Sequence, residues 1–187
     1  MSPPGVLWLG SSRYGQPLDP VQAGKFRALA GICKPYVVGF ASNAKFTSFE
    51  QHATFHLLPD CGARSLRHLL YCLLAPFICL YLAISGRARL IIAQSPYEAL
   101  AALPTKCLLK LLGKKCSLVV ESHGDFEQAY FAYRGQKGSR LAFQAMKFLV
   151  RLALWQADAV RVISQATRGQ LAKYRPRLPV YTCPAWI

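Results

Sequence analysis

The chain has 187 residues, 53% of them hydrophobic and 17% charged. That excludes a disordered or low-complexity protein and is ample for one substantial domain. Its 23 Lys and Arg stand against 8 Asp and Glu, a net charge of +15, so partners are expected among polyanions: nucleic acid, anionic lipid headgroups or phosphorylated substrates.

In chain order, Val6–Leu9 reads as a first buried strand, followed by a turn-rich stretch from Gly10 to Pro20. Val21 to Ile32 suits a helix with Ala23, Phe26, Leu29 and Ala30 on one face. Tyr36–Ala41 and Ala53–Leu58 are the next strands, and Leu90–Ala93, Leu118–Val120, Ala159–Ile163 and Val180–Thr182 continue the series. Ser95-Pro96-Tyr97-Glu98 has the form of a capping box with proline at the first helical position. It opens a helix running to Leu112, with a kink expected at Pro104 and a stop at Gly113. Lys137–Trp155 is a long amphipathic helix, and Ser164 caps a short one over Gln165–Tyr174. Strands rich in Val, Ile and Leu that alternate with helices predict a single α/β, doubly wound, Rossmann-like domain over residues 1–187, with a mostly parallel sheet and helices on both faces. Ligands of such sheets bind at the carboxyl ends of the strands.

Leu69 to Gly86 carries no charged residue and is bracketed by Arg67, Arg87 and Arg89. As a helix it would measure about 27 Å, close to a hydrocarbon core of about 30 Å. Because Leu90–Ala93 follows at once as a strand, a core or interfacial helix is favoured over a span. Lys106, Lys110 and Lys114 form one basic stripe, with Leu108, Leu111 and Leu112 around the helix from them. Arg140, Lys147 and Arg151 form another, set against Leu141, Phe148, Leu152 and Trp155. Each is by itself an ordinary solvated face; together, with so few acidic residues, they suggest an anionic membrane surface.

The seven cysteines are scattered, without a C-x-x-C pair, as expected of reduced thiols. The start of the chain lacks the charged region of a signal peptide, so a cytoplasmic location is expected. His52 and His56, with Asp60 and Cys61 nearby, match no standard zinc spacing and read as surface or packing residues; no metal site is expected. Phosphate-loop, dinucleotide-fingerprint, zinc-protease and nucleophile-elbow patterns are absent. No DNA- or RNA-binding motif is present and the aromatics do not alternate with basic residues, so a nucleic-acid-binding domain is the weaker alternative. The most informative stretch is Leu118 to Glu127, where an apolar strand delivers Glu121, His123, Asp125 and Glu127 into a loop beside Gly124, at the place a parallel sheet would hold a ligand.

Four pieces in this order resemble the N-terminal half of family 4 glycosyltransferases, whose GT-B architecture joins two Rossmann-like domains. They are Tyr14-Gly15-Gln16, Ile91-Ile92-Ala93-Gln94-Ser95-Pro96, Val119-Val120-Glu121-Ser122-His123-Gly124-Asp125, and Ala157-Asp158-Ala159-Val160-Arg161-Val162-Ile163-Ser164, the last similar to the family's A-D-x-V-x-x-x-S strand. The resemblance implies an enzyme, a glycosyltransferase of hexosyltransferase type. It would move a sugar from a nucleotide-sugar donor to a glycan or lipid-linked acceptor, with no other cofactor. His123 would be the catalytic contact to the transferred sugar. Tyr14, Gly15, Gln16, Ser95, Asp125, Glu127 and Ser164 would bind substrate, with Asp125 or Glu127 available to orient His123. The family often has Gly-Gly where this chain has Gly15-Gln16.

A donor-binding second domain, with paired glutamates, does not follow in these residues, so this chain by itself is expected not to complete catalysis. It would be either the acceptor-side domain of an enzyme on the cytoplasmic membrane face or a membrane-docked, non-catalytic subunit that recruits a separate donor-binding chain.

Overall fold

A computed structural model describes residues 3–124 and 140–183, and of Arg64 and Ser65 the backbone alone. The expected alternation is present. β1 (Gly5–Tyr14), α1 (Pro20–Ala30), β2 (Lys34–Ala41), β3 (Thr47–Glu50) and β4 (Thr54–Leu58) form the first half. α2 (Arg64–Ile84), β5 (Leu90–Ala93), α3 (Pro96–Leu111), β6 (Ser117–Ser122), α4 (Arg140–Gln156), β7 (Ala159–Val162), α5 (Gln165–Ala172) and β8 (Val180–Thr182) follow. The eight strands make one sheet in the order β3-β4-β2-β1-β5-β6-β7-β8, parallel except for β3. Consecutive strands leave β1 in both directions, which places the topological switch point between β1 and β5.

Several expectations are corrected. The segment read as turn from Gly10 continues as strand to Tyr14, because a register shift between Leu9 and Arg13 lets β1 resume pairing with Phe40 and Ala41 of β2. β3 had no apolar alternation to announce it; it is an edge strand that pairs antiparallel with β4. Ala30 of α1 is exposed, leaving Phe26 as that helix's buried anchor. The α4 face with Leu141, Phe148 and Trp155 is not its core face: those three are exposed, and Met146, Val150, Ala153 and Leu154 are buried instead.

The main core lies between the sheet and the adjacent helices α2, α3 and α4, joining Leu7, Leu9, Ile91, Leu118 and Val160 to Tyr71, Ala75, Ala102 and Leu154. α1 covers the opposite face over β1, β2 and β4, where Tyr14, Phe26 and Phe55 pack edge-on or tilted. α2 and α3 run through Pro76 and Pro104, and the buried Thr105 hydroxyl donates to the Pro76 carbonyl at 3.3 Å, tying the two helices at that point. Arg175 donates to the carbonyls of Leu154, Trp155 and Ala157, a cation at the carbonyl-rich end of α4. All seven cysteines are free thiols.

Candidate functional site

The carboxyl edge of the sheet gathers the ends of β1, β5, β6 and β7, and the sequence-predicted residues among the described ones stand there. His123 follows β6 directly, with its side chain about half exposed at 52%. Its Nε2 lies 3.2 Å from Oε2 of Glu121. Glu121 was expected in the loop; it is still in β6, and buried. Its other oxygen, Oε1, accepts from Arg161 Nη1 at 2.6 Å. Glu121 and Arg161 are register partners on adjacent parallel strands, so their side chains leave the same face of the sheet side by side.

Burial alone would raise the Glu121 carboxyl; the hydrogen bonds from His123 and Arg161 outweigh it and hold the group below its usual value. The bond to Glu121 holds Arg161 above its ordinary value against partial burial. An ionised carboxylate can only accept, so Nε2 of His123 is the ring nitrogen that donates to it. Arg161 is the residue that sequence reasoning passed over, although it stands inside the quoted strand motif.

Tyr14 is buried at the end of β1, its ring 5.2 Å from that of Phe55. Burial pushes its phenol upward, offset in part by the polar side chains of Ser12 and Gln94. A side chain at Gly39 would meet the Tyr14 ring and the Ser12 carbonyl, each at 2.8 Å, so only glycine leaves room for Tyr14 across β2. Gly15 is half-buried beside Ser42, and Gln16 is exposed.

Ser95 and Ser164 are helix N-caps. Ser95 Oγ accepts from Tyr97 N at 3.1 Å and Glu98 N at 3.4 Å, the Ser95 half of the expected capping box, while the Glu98 carboxylate meets the Ser95 hydroxyl rather than its N–H. Ser164 Oγ accepts from Thr167 N at 3.2 Å. Their hydroxyls therefore serve the helix starts, and the amino ends of α3 and α5 are brought to the same edge as His123. Asp125 and Glu127 lie outside the described residues.

Asp158, in the strand motif, stands at the opposite end of β7. Its Oδ2 accepts from the backbone N–H of Leu118 at 2.6 Å and pairs with Lys106 Nζ at 2.5 Å, so it joins β6, β7 and α3. No group of three or more metal-ligating side chains occurs among the described residues. His52 occupies a left-handed turn between β3 and β4. His56 lies in β4 and lines a cleft of about 220 Å³ with Phe46, Ser48 and Ile78. Burial and the charge of Arg87 push its imidazole below the usual range. That cleft shares no lining residue with His123, Glu121 or Arg161, and His123 stands open to solvent.

No family model matches the chain, and no curated protein matches it. Solved structures do. A sucrose-phosphate synthase structure from Thermosynechococcus elongatus aligns with a TM-score of 0.61 at 14% identity, covering 98% of this chain and 89% of that one. A second structure of the same enzyme aligns at 0.59 and 15% identity, covering 99% and 48%. Phytolacca americana UGT2, complexed with UDP-2-fluoro-glucose and pterostilbene, aligns at 0.56 and 12% identity, covering 100% and 55%. The chain spans about half the length of the latter two. These neighbours are glycosyltransferases of GT-B architecture, and the chain has the α/β Rossmann-like fold that they share.

Proposed function

We infer that this chain is the acceptor-side domain of a hexosyl-transferring enzyme of the family 4 type. It would act at the cytoplasmic membrane face on a glycan or lipid-linked acceptor, with a nucleotide-sugar as co-substrate and no further cofactor. The observation that carries the reading is the His123–Glu121–Arg161 arrangement at the carboxyl edge of a GT-B-like sheet. Glu121 fixes the ring through Nε2–H and directs Nδ1 outward. Neutral Nδ1 can take a proton from an acceptor hydroxyl, and protonated Nδ1 can donate a hydrogen bond to the transferred sugar. The departing nucleoside diphosphate gathers negative charge, which backbone N–H groups at the start of α5 favour. Tyr14, Gly15 and Gln16 would line the first loop beside the donor, and Asp125 and Glu127 would meet acceptor hydroxyls. Donor binding rests mainly on a second domain or a separate chain, and this chain alone would not turn over.

The test is release of nucleoside diphosphate from a panel of nucleotide-sugars by the protein from its native source, with and without acceptor glycans or lipid extracts. Acceptor-dependent release supports the reading, and release only after a second chain is added selects the two-chain form. Absence of release with every donor and acceptor, in protein that remains folded, counts against it.

A further inference from the structure

The outer face of the helical layer carries the most unusual surface of the molecule. α2 packs on α3 and α3 on α4, all against the same face of the sheet. α2 is apolar on both sides. Tyr71, Ala75, Cys79 and Leu82 are buried in the core, while Leu66, Leu73, Phe77 and Ile84 lie on the opposite side of the helix, 44%, 56%, 69% and 38% exposed. α4 repeats the arrangement: Val150 and Leu154 face the sheet, and Leu141, Phe148 and Trp155 point away from it. Between them, Leu111 of α3 and Leu112, which caps its end, are also exposed. A soluble surface rarely carries so large an apolar tract without a partner.

The charges around this tract have one sign. Glu98 is the sole carboxylate of the three helices, and it is held by Ser95. Lys106 is paired with Asp158, and Lys114 donates to the Ile84 carbonyl at 2.9 Å, so those two members of the sequence stripe act within the fold. Lys110, Lys115, Arg140, Lys147 and Arg151 have no carboxylate partner among the described residues. A second copy of a chain with charge +15 is a poor match for such a face. Lys147 lies over the Phe143 ring and Arg151 over Tyr174, and apolar and aromatic side chains interleaved with Lys and Arg that no carboxylate neutralises among the described residues match a bilayer surface, where rings settle at headgroup level and the cations meet lipid phosphates.

We propose that the outer face of α2, α3 and α4 docks on an anionic bilayer, with α2 in the plane of the interface. This rests on the membrane-face reading above and names the surface that makes the contact. With 21 residues, α2 is about 31 Å long and could reach across a hydrocarbon core. Its inner side, however, is part of the sheet's core, and spanning would strip Tyr71, Ala75, Cys79 and Leu82 from their neighbours.

The experiment is cosedimentation of the protein with phosphatidylcholine vesicles, with and without phosphatidylglycerol, over a salt series. Binding that needs phosphatidylglycerol, weakens with salt and is removed by an alkaline carbonate wash is expected. Phe77→Asp with Trp155→Asp should lower the partition coefficient by more than about tenfold; because both residues are exposed, an unchanged melting profile accompanies the loss. Equal recovery in the supernatant with every vesicle, wild-type binding by the double variant, or retention after carbonate each overturns the proposal. An acidic protein partner in place of a membrane would give the first of these outcomes. Sugar transfer to a soluble acceptor is read separately, so loss of docking and loss of the transferase reading are told apart.

Discussion

Arg161 and Glu121 sit opposite each other on β7 and β6, and the guanidinium reaches the buried carboxylate at 2.6 Å while His123 reaches its other oxygen at 3.2 Å. One carboxylate thus joins a structural cation to the imidazole at the sheet's edge. Nitrogen-15 NMR of the ring should find the proton on Nε2 and Nδ1 bare at alkaline pH. In Glu121→Gln that preference should weaken, since an amide can present either a donor or an acceptor. A ring already protonated on Nδ1 in the unmodified protein would contradict the arrangement.

The same pair sets an acid limb of stability. The folded Glu121 carboxyl is held below its ordinary value, about 4.3 in an unfolded chain. Its contribution is therefore complete above the unfolded value and lost as pH falls through the lower folded one. Glu121→Gln should destabilise by about 1–2 kcal/mol at neutral pH, reduced from a fully buried pair because Arg161 is 29% exposed. Urea midpoints should converge with wild type as pH falls through the lowered folded value; a constant gap across pH would show that the pair is not the source.

Asp158 is a tie between strands. Asp158→Ala leaves the Leu118 N–H without its carboxylate acceptor and Lys106 without its pair. A loss of about 1–3 kcal/mol is expected in chemical denaturation, with the affinity for acceptor unchanged. A change in acceptor affinity at full stability would instead make Asp158 a binding residue.

Gly39→Ala probes the seat of Tyr14. The new methyl group would meet the Tyr14 ring and the Ser12 carbonyl at 2.8 Å, and one contact is backbone that cannot swing aside. A cost of about 1–3 kcal/mol follows, together with a shift of the Tyr14 signals in NMR. Wild-type stability would mean that β1 and β2 part more easily than their pairing suggests.

Much of the fold was legible because its signals are local. The capping box at Ser95 and the cap at Ser164 located two helix starts through short-range hydrogen bonds, and apolar strand segments located all the parallel strands. The end of β1 was not legible, since its residues after the bulge are held by β2 rather than by a period of their own. β3 was hidden for a similar reason: an edge strand needs a neighbour more than a pattern. Within the site, His123 could be singled out by its place after a strand. The role of Arg161 could not, because it exists only through register with Glu121 across 40 residues of sequence. The α4 stripe of Leu141, Phe148 and Trp155 was legible as apolar; which of its two apolar sides met the sheet was decided by packing on α3.

The proposed chemistry turns on His123. The most direct measurement is steady-state sugar transfer by the protein together with its donor-binding half, native and with His123→Ala, with folding confirmed by a matching thermal melt. A fall in kcat of about 10²–10⁴-fold, the usual contribution of a positioned acid or base, with little change in donor binding, is predicted. Transfer at the wild-type rate by the folded variant would remove His123 from the chemistry and the Glu121–Arg161 pair from any role beyond stability.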